Sequence, residues 1–470
     1  MRSPLRPGAL KPDTIAALAT PSGRGALALV RLSGPDAASI LRTLAPSLRA
    51  ELPPPRTARL TTLLDPESGE LLDRAIVLWF PGPASYTGDD VAELTVHGGP
   101  LGPALVLDAC LRAGARPARA GEFTQRAYLN GKVDLVQAEG VRDLIDAESE
   151  AERRAALAQT EGGLSRRLAE LRGGLVHLEA LLVYHLDFPD EDEPPVPLER
   201  IAEEGRALAE RLGRILATAP EGELLHEGAL SVLAGRPNSG KSSLFNALLG
   251  EARAIVTEEA GTTRDAIEAR ISLGGFPFRL IDTAGIRTEA GRVERLGMEV
   301  ARRYLARADL VLLCLRADEG WSPEEEAFVE SLGAGVPILV LRTMMDRAGG
   351  VGVADAGLPV ELGHGSPIGV SVETGEGLDT LRERLPELVF GGLVSLNEDA
   401  PVLTRRRQRD GIRRALDEVS AFVAAISGGV PAEVASAHLR AAETALEELL
   451  GTISGEEVLD RVFADFCIGK

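Results

Sequence analysis

Cysteine is scarce in this chain: Cys110, Cys314 and Cys467 are the only three among 470 residues. They lie far apart, which suggests neither a disulfide framework nor a zinc site. Long apolar runs are missing too. The longest are short, as at residues 310–315, whereas a membrane-spanning helix takes about 20 apolar residues. No membrane role is expected. Residues 1–12 hold no apolar stretch of the kind a secretion signal needs, so a cytoplasmic location is the expectation. Positive charge is also short, with 51 Lys and Arg against 71 Asp and Glu, a net charge of −20. A protein this acidic is not a general polyanion binder; nucleic-acid contact would need a local basic patch or a partner. The densest patch is Arg405, Arg406, Arg407, Arg409, Arg413 and Arg414, for which a solvated helix face is the plainer reading.

What is present reads as several domains, since 470 residues exceed one hydrophobic core. Residues 1–130 are rich in Gly and Pro, with β-like runs at 26–32, 75–80 and 92–96, as in a small α+β domain. Residues 135–220 read as helical. Leu157, Leu164, Leu168, Leu171, Leu175, Leu178 and Leu182 fall on one helix face, and Ile201, Leu208, Leu212 and Ile215 on a second. The acidic, proline-bearing stretch 187–195 between them reads as a loop. From residue 229 strands and helices alternate until about 390. Helical texture then returns with Ile412, Leu416, Val419, Val423 and Ile426, followed by a helix over 432–450. The economical inference is a helical domain with an α/β domain inserted into it. The expected fold is therefore multidomain α/β, divided at 1–130, 131–226, 227–388 and 389–470.

The inserted segment carries chemistry. Gly235-Arg-Pro-Asn-Ser-Gly240-Lys241-Ser242 fits the pattern G-x-x-x-x-G-K-[ST], after an apolar run and before a plausible helix start. Glycines let backbone N–H groups wrap phosphates; Lys241 would neutralise the β- and γ-phosphates, and the Ser242 hydroxyl would ligate magnesium. Asn238, Ser239, Gly240 and Ser243 complete the loop's candidate contacts. Gly261-Thr262-Thr263-Arg264-Asp265 stands where a first switch loop belongs, with Thr263 able to reach magnesium and the γ-phosphate. Asp282-Thr283-Ala284-Gly285 follows an apolar run; Asp282 would hold magnesium through water, and the Gly285 amide would register the γ-phosphate. Asp346 stands where a guanine-reading carboxylate belongs, and Ser371-Val-Glu-Thr-Gly375 would close the base pocket. The set reads as a P-loop, Ras-like GTPase domain. Two departures stand out. The usual Asn-Lys-x-Asp is here Thr343-Met344-Met345-Asp346: Met344 keeps an apolar stem without the ammonium, and Thr343 cannot reproduce the contacts of an amide. Ile286 stands where Ras-like enzymes place a water-orienting Gln, so the polar group for hydrolysis must come from elsewhere. A loose dinucleotide fingerprint at residues 23–28 precedes a strand-like run instead of a helix and fails its context test.

End to end, the chain resembles the tRNA-modification GTPase family MnmE, also called TrmE. The resemblance extends to Ala19-Thr-Pro-Ser-Gly-Arg-Gly25, Leu32-Ser-Gly34, Ser85-Tyr-Thr-Gly-Asp-Asp90, His97-Gly-Gly-Pro100, Gly121-Glu-Phe-Thr-Gln-Arg-Ala-Tyr-Leu-Asn130, Asp187-Phe-Pro-Asp190 and the terminal Phe466-Cys-Ile-Gly-Lys470. It implies an amino-terminal folate-binding and dimerisation domain, a helical domain, and a GTPase domain inserted in the latter. It further implies action with an FAD-carrying flavoprotein of the MnmG type. Together the two install an aminomethyl or carboxymethylaminomethyl group on the wobble uridine of tRNAs, with 5-formyl- or methylene-tetrahydrofolate as the one-carbon source. The family's folate contacts match Arg31, Glu93, Lys132 and Lys470. Its potassium loop matches Asn238, Thr257, Glu259 and Thr262, and its water-positioning carboxylate matches Glu294. The resemblance thus makes Glu294, Lys241, Gly285 and Thr263 the catalytic candidates of a homodimeric, potassium-stimulated GTP hydrolase. Cys467 is a candidate nucleophile for the one-carbon step, although a folate methylene could reach uridine without a thiol; Cys110 and Cys314 sit in apolar runs and read as core. Two other readings stand beside this one: a ribosome-assembly or RNA-chaperone GTPase, and a nucleotide-gated scaffold with little turnover.

Overall fold

The structure, a computed structural model, describes residues 13–187, 196–251, 267–283, 302–332, 336–347, 366–395, 401–453, 456–464 and 466–469. The chain divides into two compact units, Met1–Arg142 with Leu446–Lys470, and Asp143–Ala445.

The first unit is built on a sheet whose strands are β1 (Ile15–Leu18), β2 (Leu27–Ser33), β3 (Arg59–Leu64), β4 (Leu71–Phe80), β5 (Val91–His97) and β6 (Arg116–Pro117). Their spatial order is β3-β4-β5-β2-β1-β6, antiparallel except for the β1–β6 pair. Alternate residues of β2, β4 and β5 (Val30, Leu32, Val77, Leu94, Val96) share one buried core with Ile40 and Leu41 of the helix Ala37–Leu44 and Val106 and Cys110 of the helix Gly102–Arg112. This is the period-2 burial of a sheet covered on one face. The runs expected at 26–32, 75–80 and 92–96 are strands β2, β4 and β5. The fingerprint-like glycines at residues 23–25 lead into strand β2, not a helix. A second cluster joins Tyr128, Leu135 and Ala138 to Leu459, Phe463 and Phe466, so Leu446–Lys470 belongs to this unit. The expected division, which kept all of 389–470 with the helical layer, differs here. The reason is aromatic burial: Phe463 and Phe466 fill space beside Tyr128.

The second unit combines helices with a second sheet. Its helical layer includes Glu150–Thr160, Gly163–Asp187, Leu198–Leu216 and Arg406–Ser427, and Leu198–Leu216 packs along Arg406–Ser427. Chain segments on either side of the α/β part thus meet, as an inserted domain requires. Leu164, Leu168, Leu171, Leu175, Leu178 and Leu182 are all buried on one face of Gly163–Asp187. Leu157 is the exception: it lies on Glu150–Thr160 and is exposed, because the chain breaks at Glu161 and Gly162 and the periodicity does not carry across the break.

The sheet of this unit has strands β7 (Ala229–Ala234), β8 (Ile267–Leu273), β9 (Phe276–Asp282), β10 (Leu310–Arg316), β11 (Ile338–Thr343) and β12 (Ile368–Val370), in the order β12-β11-β10-β7-β9-β8. All pairs are parallel except β8–β9. Apolar clusters cover both faces, which is why Leu310–Leu315 of β10 and Ile338–Leu341 of β11 are continuous apolar runs and β7 is broken only at Ser231. Among the described residues, the helices Lys241–Glu251, Pro323–Ser331 and Leu378–Ser395 belong to the α/β part. Phe390 closes it, stacked on Phe276 with ring centroids 4.9 Å apart. Among the described residues no helix is long and apolar enough to cross a membrane.

Two glycines of one helix test the packing. A Cβ on Gly205 would lie 2.7 Å from Val423 Cγ2, whereas one on Gly213 meets nothing within 4 Å. Alanine raises helix propensity equally at both sites. Gly213→Ala should therefore stabilise by about 0.5–1 kcal/mol, and Gly205→Ala should destabilise by about 1–3 kcal/mol through overpacking. Denaturant midpoints of the two variants should move in opposite directions; a shared sign would refute the close crossing.

Candidate active site

Gly235-Arg-Pro-Asn-Ser-Gly240 connects β7 to the helix that begins at Lys241. Three of its residues have left-handed backbones: Gly235 (φ 135°), Asn238 (φ 61°) and Gly240 (φ 82°). Only glycine fits the first position, because a Cβ there would lie 2.3 Å from the Cys314 carbonyl oxygen. Asn tolerates such a conformation better than most side chains, and Asn238 is exposed on the loop. The Lys241 ammonium lies inside the turn, donating to the carbonyls of Gly235 (3.0 Å) and Arg236 (2.6 Å). Ser239 is buried beside it and Ser243 is exposed. At the mouth, the Ser242 hydroxyl donates to Asp282 Oδ2 at 2.6 Å. The two are 40 residues apart in sequence, and parallel pairing of β7 with β9 brings them together. Thr283 donates to the Leu233 carbonyl at 2.8 Å, pinning the chain just after Asp282 to β7.

The candidate base-reading residues lie at the ends of β11 and β12. Ser371 donates to Asp346 Oδ1 at 2.7 Å and accepts from the Thr374 amide at 3.3 Å. A hydroxyl has one proton to give, so Thr343 cannot duplicate an amide. It is nonetheless buried and donates to the Ser239 carbonyl at 2.8 Å, with the Leu315 carbonyl at 3.1 Å. The base-reading loop is thereby tied to the phosphate loop. Met344 has a left-handed backbone (φ 59°), and its Cε would lie 3.6 Å from a Cβ on Gly240. The candidates Thr257, Glu259, Thr262, Thr263, Ala284, Gly285 and Glu294, together with Ile286, lie outside the described residues.

In the first unit Arg31 and Glu93 are cross-strand partners on β2 and β5. Arg31 Nε donates to Glu93 Oε1 at 2.9 Å, and its guanidinium lies over the rings of Tyr86 and Phe123, 5.9 and 5.7 Å from their centroids. Arg31 Nη1 also reaches the Gly469 carbonyl at 3.4 Å. The chain terminus is held here by an antiparallel bridge between Ile468 and Ala120 and by donation from the Gly121 amide to the Cys467 carbonyl at 3.3 Å. Cys467 is exposed. Lys132 donates instead to the Pro83 carbonyl at 3.0 Å, and Lys470 lies outside the described residues. Cys110 and Cys314 are core residues whose thiols burial pushes up to about 12, which suits them to packing, not to attack.

Residues 135–467 match the family description "MnmE helical domain", and residues 14–132 match "GTP-binding protein TrmE N-terminus". The "tRNA modification GTPase MnmE" of Moorella thermoacetica is 41% identical over 461 residues, covering 97% of this chain and 99% of that protein. The chain belongs to the MnmE family of tRNA modification GTPases. The MnmE of Methylorubrum populi is 44% identical, covering 98% of this chain and 99% of the relative. Among solved structures, the G domain of the T. maritima FeoB iron transporter is 28% identical over 34% of this chain and 98% of its own, with a TM-score of 0.25. As an MnmE-family member the chain is a GTP-hydrolysing enzyme with a P-loop GTPase domain.

Sequence reasoning missed several polar contacts. The arginine-rich run is largely paired within its own unit: Arg405 forks onto Asp143, Arg406 meets Glu227 at 3.1 Å, and Arg409 meets Glu223 at 3.0 Å. That supports the plainer reading of a helix face. In the first unit Glu122 is fully buried among arginines. Arg116 Nη1 donates to its Oε2 at 2.8 Å and the Arg119 amide at 2.9 Å, while Arg126 reaches Oε1 at 3.3 Å. Burial raises the Glu122 pKa, but these bonds and the neighbouring positive charges outweigh it and bring the carboxyl down to about 2. A depressed carboxylate pKa stabilises the fold above the unfolded-state value and loses that contribution as pH falls through the folded value. Glu122→Gln should therefore cost on the order of 3 kcal/mol at pH 7. The gap to the unaltered chain should narrow as pH drops below about 4.5 towards 2. A pH-independent gap in denaturant midpoint would show that the charge is not what Glu122 contributes.

Proposed function

We propose that this tRNA modification GTPase is potassium-stimulated and works on tRNA with a flavoprotein of the MnmG type, placing a folate-derived one-carbon unit on the wobble uridine. The observation that best supports the hydrolytic half is the convergence of the Ser242 hydroxyl and the Asp282 carboxylate at 2.6 Å beside the Lys241 turn. Two hard oxygen donors at a phosphate loop suit magnesium. Ser242 would hold the ion directly, with Thr263, and Asp282 through water. Bound magnesium neutralises phosphate charge. The remaining work falls to the chain itself. The Lys241 ammonium would exchange its loop carbonyls for phosphate oxygens, and Asp346, oriented by Ser371, would accept from guanine N1 and N2. Asn238, Thr257, Glu259 and Thr262 are the proposed potassium oxygens, Gly285 the γ-phosphate sensor, and Glu294 the group that orients water in place of the missing Gln.

The folate half draws support from Arg31 and Glu93. Their pair offers a carboxylate for pterin N–H groups and a cation beside aromatic rings, next to the terminal segment that carries Cys467 and Lys470. Lys132 completes the proposed contacts. Arg31 is shared among Glu93, Gly469 and two rings, so part of its role would be to hold the pocket wall. Leu60 and Ile76, cross-strand partners that are 65% and 42% exposed, offer apolar surface to a second copy of the chain. An RNA-chaperone reading would need a basic surface, and the pairing of Arg405, Arg406 and Arg409 with carboxylates counts against that patch.

Two measurements test this reading. GTP turnover at fixed magnesium should be much faster in potassium than in sodium, and Glu294→Ala should lower it by about 10²–10⁴-fold, the range of a positioned base, with GTP binding retained. Equal rates in the two salts would remove the cation from the mechanism. Calorimetry with 5-formyltetrahydrofolate should show binding that deletion of Lys470 weakens, and no heat with the intact chain would refute the pocket.

A further inference from the structure

We propose that Glu325 is a positioning residue of the GTPase site, acting through Arg236, the second residue of the phosphate loop. Arg236 contributes to the loop in two ways. Its carbonyl accepts from Lys241 Nζ at 2.6 Å, so its backbone helps set where the ammonium sits. Its side chain leaves the loop for the start of the helix Pro323–Ser331. There Nε lies 2.5 Å from Glu325 Oε1, Nη2 donates to Glu325 Oε2 at 3.1 Å and to the Ser322 hydroxyl, and Glu324 stands 3.3 Å away.

The anchor is rigid for reasons visible in the sequence. Ser322-Pro323-Glu324-Glu325 is a capping box with proline at the first helical position. The Ser322 amide donates to Glu325 Oε2 at 3.2 Å, and the Glu324 amide to the Ser322 hydroxyl at 3.2 Å. Glu325 is 5% exposed, and a carboxylate so enclosed needs its positive partner. The helix is fastened in turn, since Phe328, Val329 and Trp321 pack on the core formed by Val232, Val311 and Leu313. The loop has few other ties. It belongs to no strand ladder, and it is strained at Asn238, whose backbone is left-handed. Thr343 holds its far side through the Ser239 carbonyl. Arg236 holds its near side, so the loop is pinned at both flanks.

A contact that keeps the free loop in its nucleotide-binding shape raises the competent fraction of the free enzyme; because the ground-state and transition-state complexes both need that shape, its loss appears in KM and leaves kcat alone. The test compares Arg236→Ala, Glu325→Gln, Arg236→Lys and the Arg236→Ala/Glu325→Gln double variant of the full chain. GTP turnover, fluorescent GDP affinity and thermal unfolding are measured on each. Gln serves in a capping box as well as Glu, so Glu325→Gln spares the helix cap while removing the charge and one of the two acceptor oxygens that face Arg236. Both single variants should raise KM for GTP and weaken GDP roughly 5–10-fold, with kcat changed by less than about twofold. The double variant should be no worse than the worse single one, and Arg236→Lys should recover part of the loss. A merely structural glutamate would lower the unfolding temperature without moving KM. An unchanged KM in Glu325→Gln overturns the proposal, and so does a double variant in which the two effects multiply.

Discussion

Gly235 leaves β7 directly over the carbonyl of Cys314 on β10, so close that a Cβ atom would lie 2.3 Å from that oxygen. This approach makes the rest of the site possible. The loop can turn back over the sheet only because nothing projects from Gly235, and the turn brings the Gly235 and Arg236 carbonyls onto the Lys241 ammonium. Strand order supplies the other partners. With β7 between β9 and β10, the residue ending β9, Asp282, arrives beside Ser242, and the residue ending β11, Thr343, arrives beside Ser239. Ligands of open parallel sheets bind outside the carboxyl ends of the strands, and here those ends collect residues from four separate stretches of chain.

That dependence explains what could be read from sequence. The phosphate loop is legible because its chemistry restricts the backbone itself: glycines where no Cβ fits, a lysine, a hydroxyl, in fixed order. Strands β7, β9, β10 and β11 are legible because both faces are covered and their residues are mostly apolar, interrupted only singly inside β7 by Ser231 and inside β9 by Arg279. Strand β3 is not legible, because Arg59 and Leu60, on opposite faces, are both exposed and its buried face carries Thr61. Strand β6 has two residues, one of them Pro117, and pairs in parallel with β1 alone; nothing local announces it. That the terminal segment packs with the first unit is hidden in the sequence for a related reason. Its helix has an ordinary amphipathic face, and only the partner, Tyr128 and Leu135 more than three hundred residues earlier, tells which core it fills. Arg31, Glu93 and Arg236 were legible as charges but not as pairs, since a salt bridge between distant elements leaves no periodicity.

Net charge and local charge also separate. The −20 total argues against general polyanion binding, and the arginine run argued weakly the other way. The structure resolves the tension through pairing: Asp143, Glu223 and Glu227 sit against Arg405, Arg409 and Arg406. The exposed Arg406–Glu227 pair contributes about 0–1 kcal/mol; the Arg405–Asp143 and Arg409–Glu223 pairs are more enclosed, and all three lower the local positive potential. A tRNA approaching this helix would meet arginines already shared with carboxylates. Under the proposed function, the attraction for RNA is therefore better sought in the partner flavoprotein than on this face.

The departure at the base-reading motif is where fold and specificity meet. A side-chain amide can donate two hydrogen bonds and accept as well, while threonine gives one proton. At position 343 that proton goes to the loop: Oγ1 lies 2.8 Å from the Ser239 carbonyl, and because Thr343 is buried at the end of β11 the bond is shielded from water. A buried carbonyl left without its donor costs about 1–3 kcal/mol, so the hydroxyl is worth more to the loop than its single proton suggests. The adjoining Met344 holds a left-handed backbone, a conformation that costs on the order of 1–3 kcal/mol and persists only where its surroundings enforce it. Here the surroundings are the bond from Thr343 on one side and the Met345–Arg347 turn on the other, which carries Asp346 towards Ser371. The strain at Met344 is thus the geometric consequence of holding Asp346 in register with the phosphate loop. Under the proposed function, base selectivity would rest on Asp346 and Ser371, which are hydrogen-bonded to each other, while Thr343 ties the end of β11 to the phosphate loop.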